Sequence, residues 1–165
     1  MNKNLLTKKQ VVVILFMLIA VSFRLFPHLP NFTPITAIAL FGGLYFTNKK
    51  MAYLVPVFIM GLSDIFLGFH LISLFVYSAF LLVSFIGTKT KKPSIYTILL
   101  GSLSFFIVTN FGVWLIGYPK TWTGIIECYT LALPFFRNSI LGDFFYSGIM
   151  IFGYKFVEKK YLNLA

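Results

Sequence analysis

Acidic side chains are nearly missing from this chain: Asp and Glu together number four in 165 residues. Charged residues of both signs reach only 11%, against roughly 25% in a soluble domain. A globule of this size has a large surface for its volume and needs polar residues to cover it, so a soluble fold is excluded. Cysteine occurs once, as Cys128, which excludes a disulfide scaffold. Ser/Gly-rich linkers, repeats and low-complexity tracts are lacking. Hydrophobic residues make up 59%, the opposite of what disorder requires. There is no Gly-rich phosphate loop of the ATP-binding type. Ten-residue segments of alternating polarity, the mark of a membrane β-barrel, are also absent. What the chain has in quantity is long apolar runs, with 21 Phe among its residues. It reads as an all-α integral membrane protein.

A helix needs about 20 mostly apolar residues to cross the hydrocarbon core. Six candidates follow, in one transmembrane domain covering residues 1–165: about Val11 to Phe26, Pro34 to Phe46, Met51 to Gly68, Leu71 to Gly87, Ser94 to Gly117 and Asn138 to Val157. The second is short. Lys8, Lys9 and the first run, followed by Ala20-Val21-Ser22, loosely suit a cleaved signal peptide. A retained first helix is the expectation, because cleavage would leave five spans and place Arg24 close behind the cut. Between the fifth and sixth spans lies Tyr118 to Phe136, with Pro119 and Pro134. It is expected to form a short outer interfacial or re-entrant helix, with Trp114, Tyr118, Trp122 and Tyr129 in an outer aromatic belt.

Basic residues fix the orientation expected for these spans. With a cytoplasmic N-terminus, Lys3, Lys8, Lys9, Lys49, Lys50, Lys89, Lys91, Lys92, Lys155, Lys159 and Lys160 fall inside, and Arg24, Lys120 and Arg137 fall outside. That is a strong positive-inside bias, and six spans return the C-terminus to the cytoplasm. The expected location is a bacterial inner membrane. The net charge of +10 then follows from topology. Split among four inner segments, the lysines suit anionic lipid headgroups, and no nucleic-acid partner is implied.

Three of the four acidic residues and most other polar groups map to the outer half. Ionisable groups at membrane depth cost several kcal/mol unless they pair or line a cavity. The candidate ligand-binding residues are Arg24, Asn31, Asp64, Asn110, Arg137, Asn138 and Asp143. Asp64 and Asp143 would supply acceptors or a counter-charge, Arg24 and Arg137 would hold an acidic group, and the asparagines would set orientation. Each has a plainer role beside it. Asp64 is a natural counter-ion for Arg24 or Arg137, and Arg24 a residue that snorkels to headgroups. Asn31 and Thr33 suit the cap of the second span, and Asn138 and Ser139 the cap of the sixth. Asn110 suits an interhelical hydrogen bond. Arg137 and Asp143, six residues apart, do not share a helix face, so each looks to another helix. Ala39 and Gly43 form a small-xxx-small pair suited to close helix packing.

His28, His70, Glu127 and Cys128 come from three separate outer segments without ligand spacing, so no metal and no cofactor is expected. Cys128 with a histidine and Arg137 is the one arrangement that suggests an intramembrane cysteine enzyme, which needs a base beside the thiol. A lone buried cysteine is more simply a small apolar filler. A non-enzymatic role is the expectation.

Six spans, both termini inside, fewer than 200 residues and a polar outer mouth together resemble the substrate-binding S components of energy-coupling-factor vitamin transporters. Gly61-Leu62-Ser63-Asp64-Ile65-Phe66-Leu67-Gly68 looks like the glycine–aspartate–glycine segment of their third span. The pieces from Arg24 to Pro34 and from Tyr118 to Asp143 look more like an uncharacterised family of small bacterial membrane proteins, a distant relative of the S components. The resemblance implies a vitamin or related micronutrient bound at the outward face. It also implies docking on a separate transmembrane coupling protein driven by ATPases. The alanines four apart that S components carry in span one have no counterpart here, where span one offers only Ala20 and Ser22. A structural or assembly subunit of a membrane complex is the competing expectation.

Overall fold

The computed structural model describes residues 7–162, among which there is no β-strand. Lys3, assigned above to the inner charges, lies outside the described residues. Six α-helices follow one another: α1 (Lys8–Ser22), α2 (Ile35–Tyr45), α3 (Lys49–Leu67), α4 (Ser73–Lys89), α5 (Ile95–Gly117) and α6 (Trp122–Val157). A 3₁₀ turn, Phe23–Leu25, extends α1, and a π-helical turn, Glu158–Leu162, extends α6.

Local chemistry sets the helix starts. Thr7 and Gln10 close a capping box on α1. Asn48 accepts from the Lys50 N–H at 2.9 Å, Ser94 from Thr97 at 3.2 Å and Thr121 from Gly124 at 3.1 Å. Like α4, α2 lacks such a cap. It begins behind Pro34, whose side chain makes no capping bond. Asn31 and Thr33 therefore do not cap it. Asn31 instead takes the left-handed turn of the loop before it, at φ 62°, a conformation in which Asn is several-fold enriched.

Among the described residues three helices are long and apolar enough to cross a membrane: α3, α5 and α6 with its extension. The other predicted spans correspond to shorter helices of 15 residues in α1, 11 in α2 and 17 in α4. The expected separate outer helix does not exist. Trp122 to Val157 is a single 36-residue helix that runs straight through Pro134. Proline removes one N–H bond and crowds the carbonyl four residues back. Side chains on the first half of α6 make up for that loss by gripping α5. The Tyr129 hydroxyl donates to the Ile107 carbonyl at 2.7 Å, and Phe136 stacks on Phe106 at 4.3 Å. For the same reason Asn138 and Ser139 cap nothing, because the helix starts 16 residues before Asn138, behind Thr121.

The centre of the bundle is α2, which touches all five other helices. Every residue from Thr36 to Gly43 is buried. Ile38 and Phe41 pack among Met17 of α1, Met60 of α3, Phe80 of α4 and Met150 of α6. At its C-terminal end α2 meets α4 backbone to backbone. A Cβ on Gly87 would lie 2.7 Å from the Leu40 carbonyl oxygen and 2.9 Å from the Gly43 Cα. The outward faces stay apolar, with Phe58, Phe66, Leu74 and Phe152 each two-thirds or more exposed. So much bare apolar surface on a monomer marks contact with lipid or protein.

The lysine-bearing helix ends gather at one end of the bundle. Lys9 pairs with Glu158 at 2.8 Å. Tyr45 at the end of α2 packs on Tyr154 of α6 at 4.3 Å. Tyr53 of α3 reaches Thr88 of α4 at 3.5 Å.

Candidate functional site

The brevity of α2 creates the site. Eleven residues at 1.5 Å each give a helix of about 16 Å, roughly half the thickness of a hydrocarbon core. Pro27, Pro30 and Pro34, with a turn that bonds Phe32 N–H to the Leu29 carbonyl, keep the preceding chain out of the helix, so α2 begins partway along the bundle. Its first turn lies level with Gly101 of α5, against which Thr36 packs, and with Asp143 of α6. Helices α3, α4, α5 and α6 continue past that level. The space they enclose above α2 is a cavity of about 400 Å³, within the range of small-molecule sites.

One wall carries an ion pair. Arg24, in the turn after α1, sets its guanidinium 2.8 Å from Asp64 Oδ1 of α3, with both side chains largely buried. The Tyr77 hydroxyl of α4 donates to the second oxygen, Oδ2, at 2.7 Å. Arg24 also donates to the Ser63 hydroxyl and to the Met60 sulfur. Asp64 is thus the counter-ion of Arg24, not of Arg137. Just beyond it α3 stops at Gly68, whose φ of 90° suits glycine.

The floor carries the second carboxylate. Asp143 is 2% exposed and looks across to α5, where the Ser102 hydroxyl donates to Oδ2 at 2.6 Å. The Thr36 side chain is its neighbour on α2. No basic group reaches it: among the described residues the ion pairs are Lys9–Glu158 and Arg24–Asp64.

Of the seven residues singled out from the sequence, Arg24, Asn31, Asp64, Asn110 and Asp143 line this cavity. Asn110 does not bridge helices through its side chain. Its amide donates to the Phe106 carbonyl of its own helix at 2.8 Å, and its backbone carbonyl accepts from Cys128 Sγ of α6 at 3.5 Å. Arg137 and Asn138 do not line the cavity. On a helix they stand about 240° and 140° around from Asp143. Asn138 instead donates to the Pro30 carbonyl at 3.0 Å, tying α6 to the loop before α2. Arg137 is exposed.

Hydroxyl groups outside the seven complete the polar lining. Thr36, Ser102, Thr109 and Ser139 also line the cavity. Two faint signals existed. Ser139 precedes Asp143 by four residues, hence on its face. Ser102, Phe105, Phe106, Thr109 and Val113 follow one helical stripe of α5. Cys128 is buried, and among the described residues no group of three or more His, Cys, Asp or Glu side chains is placed to hold a metal.

No curated protein and no solved structure matches the chain. Residues 4–164 match the model of a family of unknown function, DUF6580. The match covers almost the whole chain, and the protein belongs to that family.

Proposed function

We propose that this protein is a six-span membrane transport protein that binds a small molecule in the cavity above α2. In this topology α1 with its 3₁₀ turn, α2 and α4 complete the crossing begun by α3, α5 and α6. The lysine end faces the cytoplasm of a bacterial inner membrane, and the cavity opens outward. The observation that carries this reading is the polar cavity itself. A buried ion pair and a buried carboxylate line a 400 Å³ space at mid-depth, where such groups are costly unless they serve a ligand or one another. The ligand is a micronutrient-sized molecule. The chain lacks an ATP-binding loop, so energised uptake would need a separate coupling protein and ATPases, as the S-component resemblance implies.

The test is mass spectrometry of small molecules released from detergent-purified protein. A compound near one per chain is expected from wild type and from Arg137→Ala, outside the cavity, and its loss from Thr109→Trp, which fills it. A monodisperse wild type that releases nothing, or a Thr109→Trp variant that keeps its compound, would overturn the proposal.

A structural subunit is the second reading. The observation that favours it is the Arg24–Asp64 pair, whose hydrogen bonds are met within the chain. Recovery of the protein in a stable complex, with no bound compound, would support it.

A further inference from the structure

Charges on the cavity lining do not balance. Arg24 and Asp64 neutralise each other at 2.8 Å. Asp143 remains, 2% exposed, at the floor. Ser102 donates to it at 2.6 Å, but a hydroxyl orients a carboxylate without supplying charge. The uncapped N-terminus of α2 nearby contributes roughly half a positive charge. A buried carboxylate without a cation costs several kcal/mol. Of the other outer basic residues, Lys120 and Arg137 do not line the cavity; His70 does, but among the described residues it makes no ion pair with Asp143. An incoming anion would find Arg24 already engaged by Asp64, Ser63 and Met60. Phe105 and Phe106 also line the space, and aromatic faces attract cations.

Resting on the ligand-binding reading above, we propose that the cavity takes an organic cation, a protonated amine or quaternary ammonium on a small apolar body, with its charged end at Asp143. The ammonium supplies the counter-charge that the protein withholds, and the body lies against Phe105 and Phe106. Asp143 is then the residue that selects for charge, whereas Arg24 and Asp64 hold the wall.

A thiol placed beside Asp143 tests this without knowledge of the natural ligand. Ser139→Cys, one turn before Asp143 on the same face, is made in a Cys128→Ala background. The probes are a positively and a negatively charged methanethiosulfonate of matched size, added from the outer side. Relative to a free thiol, the cationic reagent is expected to be favoured about tenfold or more, and Asp143→Asn to abolish most of that preference. A wild-type ratio equal to that of the free thiol, or one unchanged in Asp143→Asn, would overturn the cation assignment while leaving an open cavity. The ratio with Asp143 intact is decisive alone should the Asn variant fail to fold. Failure of both reagents to react would overturn the outward-open cavity, and the cation assignment with it.

Discussion

The two ends of this bundle are built from the same helices and behave as opposites. At the lysine end α2 fills the centre, Gly43 and Gly87 bring backbones into contact, and Phe41, Tyr45 and Tyr154 close the interior with rings. At the other end α2 has stopped, and its place is taken by a cavity whose polar groups come from α2 to α6, the 3₁₀ turn after α1 and two loops. Terminating one central helix at mid-depth is enough to turn a packed bundle into a container. The polar residues that would be intolerable in the packed end become affordable in the open one.

The largest expected effect is at the ion pair. Asp64→Ala leaves a buried guanidinium unpaired and should cost about 3–5 kcal/mol, read as a fall in the thermal midpoint in detergent. Arg24→Met with Asp64→Leu should recover most of that loss. Asp143→Asn is the contrasting case: with no cation to strand, it should leave the midpoint unchanged or raise it. A fall as large as that of Asp64→Ala would show that the two carboxylates do the same job.

Next comes the packed end. Gly87→Val places carbon into the Leu40 carbonyl and the Gly43 backbone and should cost about 1–3 kcal/mol by overpacking. Gly148→Val, where an added Cβ meets nothing within 4 Å, should cost much less in the same melt. Equal losses would break the distinction between a tight core and a lipid-facing surface. Smaller again, Asn138→Ala loses its bond to Pro30 and should cost about 1 kcal/mol. Its mark should be faster proteolysis or hydrogen exchange of the loop at 26–34. Smallest is Glu158→Gln. The Lys9–Glu158 pair is exposed, at 50% and 29% of the two side chains. Its loss should shift stability by no more than about 0.5 kcal/mol and vanish at high salt.

Apolar runs and lysine clusters made the helical character legible, because lipid-facing helices need apolar residues all round. Proline was the poorer guide. Pro56 lies inside α3 and is buried, and the sequence reading passed through it. Pro134 lies equally inside α6, and there the proline goes with an expected break before the sixth span. What sustains the helix across Pro134 is packing of Tyr129 and Phe136 on α5, a tertiary effect that no local pattern announces. Charge and amide chemistry led to five residues of the cavity, since few ionisable groups persist at that depth without reason. Arg137 and Asn138 shared the chemistry but not the helical phase of Asp143. Ser102 and Thr36 were missed because hydroxyls are common in apolar helices and satisfy themselves on their own backbone.

The half-length of α2 also has an electrical consequence. In a membrane the low-dielectric barrier beneath the cavity floor is only about 16 Å deep, about half the usual core. On the proposed topology, a cation seated at Asp143 would already have fallen through a large part of the transmembrane voltage. One charge crossing 100 mV is worth about 2.3 kcal/mol. Half that field adds about 1 kcal/mol to binding when the inside is negative, a severalfold gain in occupancy. On that reading an energised cell would load this site more fully than a detergent micelle can.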